Sequence, residues 1–449
     1  MANVIKLRKG LDINLKGKPA AELLKVEEPG FYSLVPDDFT GVTPKVVVKE
    51  GTNVLAGEPL FIDKNNPEVK FVSPVSGVVT SVERGARRKV MNIIVEADKD
   101  QKSVDFGKKD PAKMTAEEVK TLLLEAGLFA FFRTRPYDVI AVPTQSPRAI
   151  FVSAFDSAPL APDFEFQLQG EEANFQTGLT ALSKIAKTYL GISVKQKSAA
   201  LTQAQGVVVT AFDGPHPAGN VGVQINHVAP VSKGEVVWTI GAEAVIFIGR
   251  LLNTGKLDFT RTVALTGSEV QKPAYVKLKV GAKLDKVFAG KVATGKNLRY
   301  ISGNVLTGKQ IALDAYLGAF HAQLSVIPEG NDENEFLGWI MPRTDQFSVS
   351  RSYFSWLQGK KEYTLDARVK GGERHMIMSG EYDSVFPMDI YPEYLVKAII
   401  AGDIDKMEAL GIYEVAPEDF ALCEFVCSSK VEVQRIVRTG LDNLRKEMA

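Results

Sequence analysis

The groups in this 449-residue chain that could do chemistry are four histidines, two cysteines and one run of paired aromatic and arginine side chains. Two of the histidines, His216 and His227, fall in a single stretch, GVVVTAFDGPHPAGNVGVQINHVAPV (206–231). It opens on the β-branched run Val207 to Val209 and breaks at Asp213-Gly214 into a loop rich in glycine and proline. A buried strand running into such a loop is how α/β sheets expose backbone to a ligand or a partner. Gly214, Gly219 and Gly222 lack the G-x-G-x-x-G spacing of a dinucleotide loop, and no Walker A sequence is present. His216 stands between Pro215 and Pro217, which restrict its backbone. The loop, with His216, Gly219 and Gly222, therefore reads as a structural or partner-contacting element more than a site of proton transfer. His227 closes what reads as a strand, and His321 and His375 are isolated in sequence. No catalytic residue is assigned.

The second candidate is GLFAFFRTRPYD (127–138). Phe131 and Phe132 supply flat apolar area, while Arg133 and Arg135 supply fixed donors that could stack on, or hydrogen-bond, a planar quinone or a carboxylate. The plainer alternative is a core anchor followed by surface arginines. Cys423 and Cys427 lie four apart on an expected helix with Phe420 on the same face. A zinc or iron–sulfur site would need further soft ligands, so the pair reads as buried thiols and no metal site is expected.

These residues need elements to hold them, and 449 residues imply two to four domains. Lys+Arg and Asp+Glu each number 54, so the formal charge is 54 − 54 = 0, which leaves no electrostatic footprint for nucleic acid. Two cysteines argue against a disulfide framework and fit a reducing compartment. The N-terminus lacks the apolar core of a signal peptide. The most apolar window, VVWTIGAEAVIFI (236–248), falls short of the roughly 18 to 20 residues that span a bilayer. A soluble α/β multidomain chain is expected.

Residues 1–100 read as a β module with an N-terminal extension. Its order Gly51…Val54…Gly57…Leu60 and Ser73-Pro74…Gly77-Val78-Val79 resembles the lipoyl/biotinyl barrel, with Asp63-Lys64 at the place of a carrier's modified lysine. The longer KNNPEVK hairpin favours a barrel without a prosthetic group. Thr115-Ala-Glu-Glu118 is a capping box for a helix over Val119–Ala126 that Gly127 ends. A second helix is expected over Glu171–Leu190 and strands over 139–142 and 207–209, giving an α/β unit from 101 to 256. Within 257–330, residues 262–325 read as a small α+β unit. Residues 331–380 read as hairpins with an aromatic load that includes Phe336 and Trp339, a candidate docking surface, and helices follow to the C-terminus.

IKLRKGLDI (5–13), SPVSGVV (73–79), DGPHPAGNVG (213–222), YISGNVLTG (300–308), GGERHM (371–376), FPMDIYP (386–392) and ALCEFVC (421–427) together resemble one family over essentially the whole chain. That is the NqrA family of the Na⁺-translocating NADH:quinone reductase. It is similar in plan to the membrane-associated, cluster-binding component of the Rnf electron-transport complex and to the flavin-binding component of complex I. The resemblance implies a Rossmann-like domain at 101–256, a β-grasp SLBB domain at 257–330 and a helical domain within 331–449. It also implies a peripheral subunit on the cytoplasmic side of the bacterial inner membrane. That subunit would belong to a six-subunit complex that uses NADH, flavins, iron–sulfur centres and ubiquinone while exporting Na⁺. A membrane subunit would be its docking partner. Where the flavin-binding relatives carry a glycine-rich loop, this chain has LFAFFRTRPYD, and only Cys423 and Cys427 remain of a cluster set. No flavin or iron–sulfur cluster is therefore expected in this chain, and Phe131, Phe132, Arg133 and Arg135 are candidate quinone contacts. The alternatives are an FMN-binding NADH dehydrogenase component and a carrier modified at Lys64.

Overall fold

The computed structural model describes residues 3–331, 343–349, 353–359 and 361–448. Local chemistry sets the first helix of the α/β domain. Thr115 Oγ1 accepts from the Glu118 amide, and Glu118 accepts from the Thr115 amide at 2.8 Å, so α1 (Ala116–Glu125) begins on a complete capping box. Val119, Leu122 and Leu123 form its buried face, and Gly127 ends the turn at φ 71°.

The sheet beside it joins β1 (Asn3–Lys6), β2 (Arg133–Arg135), β3 (Val139–Ile140), β4 (Ala149–Ser153), β5 (Lys187–Ser193), β6 (Val208–Asp213) and β7 (Val237–Gly241). Their order is β1-β6-β5-β4-β7-β2-β3. Neighbours from β1 to β7 are parallel, and β2 and β3 add an antiparallel edge. Alternation within β4 divides two cores. Ile150 and Val152 face one side with Leu190 and Trp238, and Ala149 and Phe151 face the other with Ile225. Burial on both faces is why AIFVS reads as a continuous apolar run. After β4 the chain winds toward β5 and β6, then returns to place β7 on β4's other flank. That reversal is a topological switch point.

On one face of the sheet, α2 (Glu172–Ile185) packs against α4 (Ala242–Thr254). The crossing is close because each helix turns a glycine to the other. A Cβ on Gly249 would lie 1.7 Å from the Asn174 carbonyl oxygen, and one on Gly178 would lie 2.2 Å from that of Val245. The other face carries α3 (Val221–Val228).

The first 24 residues leave the barrel that follows them. Asn3–Lys6 extends the seven-stranded sheet, and Ala20–Leu24 forms an edge of a six-stranded β-grasp sheet. From that edge inward the sheet continues with Ala274–Lys279, Thr260–Thr266, Gln323–Pro328, Leu298–Ser302 and Lys309–Ile311. The barrel itself is a four-stranded and a three-stranded antiparallel sheet closed on Phe39, Phe61 and Phe71. C-terminal helices Pro392–Ala401, Ile404–Ala409, Ala421–Val426 and Val433–Glu447 bury Leu395, Val437 and Leu441 in a cluster shared with Leu7, Phe212 and Val223 of the α/β domain.

Three sequence expectations change. The helix expected over Glu171–Leu190 ends at Ile185, and Lys187–Ser193 is a strand, because Tyr189, Leu190 and Ile192 are needed in the sheet. The 226–228 stretch is helical, with His227 Nδ1 2.9 Å from the Val223 carbonyl, so His227 lies on α3 and closes no strand. In the described parts of 343–380 there is no strand. Phe347 packs instead on Tyr363 and Phe425. Phe336 and Trp339 lie outside the described residues.

Gly249→Ala should move the α2–α4 crossing, at a cost of about 1–3 kcal/mol. The chemical-denaturation midpoint measures this, and an unchanged midpoint would refute the close crossing.

Candidate functional site

The carboxyl ends of β4 and β7 open into a cavity of about 470 Å³. Ser153 and Thr239 to Gly241 come from the strand ends, and His216, Gly219 and Val221 from the loop leading into α3. Phe131, Arg133 and Arg135 come from the edge before β3. Gly303, Phe320, His321 and Gln323 of the β-grasp sheet and Pro417, Glu418 and Gln434 of the helical domain close it. A larger hollow of about 600 Å³ between barrel and β-grasp sheet shares only His321 with it.

Both loops named in the sequence reading therefore meet at one place, with one exception. Phe132, extended after the turn over Leu128–Phe131, is fully buried beside Trp238 and Phe129. It does not line the cavity and so makes no contact there. Phe131 touches Phe247, Phe259 and Phe320, and Arg133 lies over the Phe320 ring at 4.4 Å. Arg135 is no surface arginine: it is 1% exposed, donates to Asp138, and reaches Glu418 at 3.4 Å. Arg133 also faces Asp138, at 3.7 Å.

The two glycines of the loop make close approach possible. A Cβ on Gly219 would lie 2.6 Å from the Ser157 nitrogen, and one on Gly222 would lie 2.4 Å from the Asp419 carboxylate. His216 is buried and held by the loop. Its amide donates to Asp12 at 2.9 Å, and its Nδ1 lies 3.0 Å from Ser157 Oγ. That oxygen already accepts from the Gly219 amide at 2.8 Å, so its proton is free for Nδ1, which leaves His216 Nε2 as an N–H donor. His321 repeats the device: Ser302 Oγ accepts from the Gly318 amide and lies 2.9 Å from His321 Nδ1. Burial lowers both histidines to about 4, with Arg261 and Arg133 adding to it at His321. Both are neutral donors at pH 7.

The carboxylates divide. Burial pulls Asp138 upward, but Arg135, Arg133 and Arg438 together hold it below the usual range. Burial raises Asp156 and Glu418, and it raises Asp419 to about 7, with Glu418 adding to that. Among the described residues, seven buried side-chain polar atoms have no hydrogen-bond partner, and four belong to the cavity wall: Arg133 Nε, Arg135 Nε, His216 Nε2 and Gln323 Oε1. A fifth, Asp419 Oδ1, is next to it in the chain. Unmatched polarity at one hollow is what a site that exchanges bonds with a ligand presents.

Asp138, Asp156, Phe320, Glu418 and Asp419 did not stand out in the sequence. The available signals were the charges inside the otherwise apolar 127–142 segment and the adjacent acids at the start of a buried helix. Cys423 and Cys427 lie away from the cavity. Burial pushes the Cys423 thiol up, and Cys427 Sγ accepts from the Tyr382 hydroxyl at 3.0 Å. Among the described residues no group of histidine, cysteine and carboxylate side chains is arranged to hold a metal.

A barrel, a parallel sheet with a cavity at its switch point, a β-grasp sheet and a helical cap define a four-part α/β class of protein. Models of the NqrA N-terminal barrel-sandwich hybrid domain, the NqrA second alpha/beta domain and the NQRA C-terminal domain match residues 5–98, 114–257 and 262–312. The NqrA protein of the Na⁺-translocating NADH-quinone reductase of Serratia proteamaculans is 38% identical over 451 residues, covering 99% of this chain and 100% of that one. Its counterparts in Yersinia pestis and Pseudomonas aeruginosa are 37% and 36% identical, with the same shares covered. The chain belongs to the NqrA family of Na⁺-translocating NADH-quinone reductase subunits. No helix among the described residues is long and apolar enough to cross a membrane.

The site predicts a pH signature. Asp419, raised from 3.8 to about 7, keeps its proton in the folded state over a range where the unfolded chain has lost it. Its contribution to stability therefore falls as pH rises from about 4 through about 7, then levels off. Asp419→Asn removes that fall while leaving an oxygen to accept from the Ala416 amide. Its stability advantage over the parent should grow across this window and plateau above it. A pH-independent difference in unfolding midpoint would contradict the assignment.

Proposed function

We propose that this chain is a peripheral subunit of a Na⁺-translocating NADH:quinone reductase. In this reading it carries no flavin, iron–sulfur cluster or other redox group of its own and presents a quinone-type ligand site at the switch point of its α/β sheet. The observation that carries the reading is the cavity's surplus of donors beside aromatic faces. Arg133 lies over Phe320, Phe131 packs against it, and two neutral histidines are held with Nε2–H outward from their serines. A planar dicarbonyl accepts hydrogen bonds and offers none, which complements such a wall.

A phosphate-bearing cofactor fits poorly. The segment after Gly127, where the flavin-binding relatives carry glycines, is a buried turn over Leu128–Phe131. A Cβ on Gly127 would meet Val72 of the barrel at 2.6 Å, so this glycine serves interdomain contact. Redox cofactors and NADH would then belong to other subunits, including a membrane subunit on which this chain docks from the cytoplasmic side of the inner membrane. The six-subunit composition is part of this proposal.

Lys64 follows strand Pro59–Asp63 in an exposed turn, with the buried Asp63 accepting from the Thr43 and Asn65 amides. The position suits a carrier lysine geometrically, and an unmodified intact mass would retire that alternative.

Arg133→Gln keeps a planar polar group but loses the charge over Phe320. In the assembled complex it should weaken quinone affinity at least tenfold, and because Asp138 keeps Arg135 and Arg438 as partners the thermal midpoint should fall only modestly. Unchanged affinity and turnover would sink the quinone reading. Separately, the visible absorption spectrum of the purified chain should show no flavin, and a near-stoichiometric flavin would favour the dehydrogenase alternative.

A further inference from the structure

Strands Gly77–Arg84 and Val90–Ala97 of the barrel pair antiparallel, with Arg84 opposite Val90. Residues 85–89, Gly-Ala-Arg-Arg-Lys, join them, and every residue from 83 to 89 is exposed. The tip thus carries Arg84, Arg87, Arg88 and Lys89 in a chain whose formal charge is zero. Lys89 is paired with Asp37 at 2.6 Å, and Glu83, at the base, accepts from Asn92. Arg84, Arg87 and Arg88 make no ion pair among the described residues. Arg84 donates to the Arg88 carbonyl at 3.2 Å.

The backbone sharpens the oddity. Arg87 and Arg88 adopt φ 54° and 61°, successive left-handed conformations that glycine or asparagine would take at least cost. The turn would be more stable with those residues, so its own folding does not explain two arginines there. A specific protein interface centres on apolar or aromatic anchors across a broad complementary patch. This tip is a narrow convex hairpin whose exposed apolar side chains are Ala86 and the neighbouring Met91. A convex cluster of unpaired cations suits a diffuse plane of negative charge, and it draws about 1 kcal/mol per cation from an anionic lipid surface.

We propose that the 84–89 hairpin is an electrostatic contact to anionic lipid headgroups, independent of the cavity and of any ligand in it. Its place on the barrel means that this hairpin end of the barrel meets the bilayer.

The test is co-sedimentation of the full chain with phosphatidylcholine vesicles, with and without phosphatidylglycerol. The parent should bind only the anionic vesicles and should be released by 0.5 M salt. Arg87→Asn/Arg88→Gly relieves the left-handed strain while removing two cations. It should raise the thermal midpoint and lower vesicle affinity about thirtyfold, two cations at the value above. Equal binding to neutral vesicles, or variant binding equal to the parent's, would overturn the proposal. So would a variant that sediments normally but fails to assemble with its partner subunits, because the tip would then be a protein contact.

Discussion

Everything around the cavity depends on how one buried guanidinium is neutralised. Arg135 is enclosed, and its charge is met by Asp138 three residues on and by Glu418 from the C-terminal domain. Asp138 in turn is held by Arg133, and its carbonyl accepts from Arg438 of the last helix at 3.1 Å. Burying an ion is costly unless its partners are in place, and removing one partner of a buried pair typically costs about 3–5 kcal/mol. The antiparallel edge of the sheet and the helical domain are therefore tied together at the cavity wall. Arg133, while facing Asp138, also lies over Phe320 of the β-grasp domain. One charge network thus joins three parts of the chain at the place where their surfaces leave a hollow.

In the proposed reading, charge also sets which ligand the cavity admits. The wall carries arginines, but Asp138 and Glu418 pair with them, and both histidines are neutral. What remains is directional: donors fixed by serine hydroxyls that glycine amides orient in turn. Donors without net positive charge fit carbonyl oxygens better than phosphates.

Much of the fold was legible from local rules. The capping box at Thr115, the glycine after α1 and the apolar run of β4 each follow from short-range chemistry, and each element lies where that chemistry puts it. What local rules miss is long-range pairing. Asn3–Lys6 and Ala20–Leu24 sit in two different sheets, more than 200 residues from their partners in sequence, and nothing in those short runs names the partner. The limit of α2 was obscured because Leu182, Ile185 and Leu190 keep an apolar rhythm across the helix–strand change. For the site, residue type marked Arg133, Arg135 and the His216 loop, but the sequence did not show that they share one cavity. Phe131 and Phe132 look equivalent in sequence, yet Phe131, closing the turn over Leu128–Phe131, borders the cavity while the extended Phe132 packs beside Phe129 and Trp238. Glu418 and Asp419 matter only through their distance from Arg135 and Gly222 in space.

The central claim is that the hollow at the switch point, and not another surface, receives a quinone. A photoreactive short-chain quinone irradiated with the assembled complex, with the label mapped by peptide mass, tests it most directly. The account predicts label within 131–135, 216–222 or 303–323 of this chain, and competition by unmodified quinone. Label confined to other subunits, or to the hollow between barrel and β-grasp sheet, would contradict it.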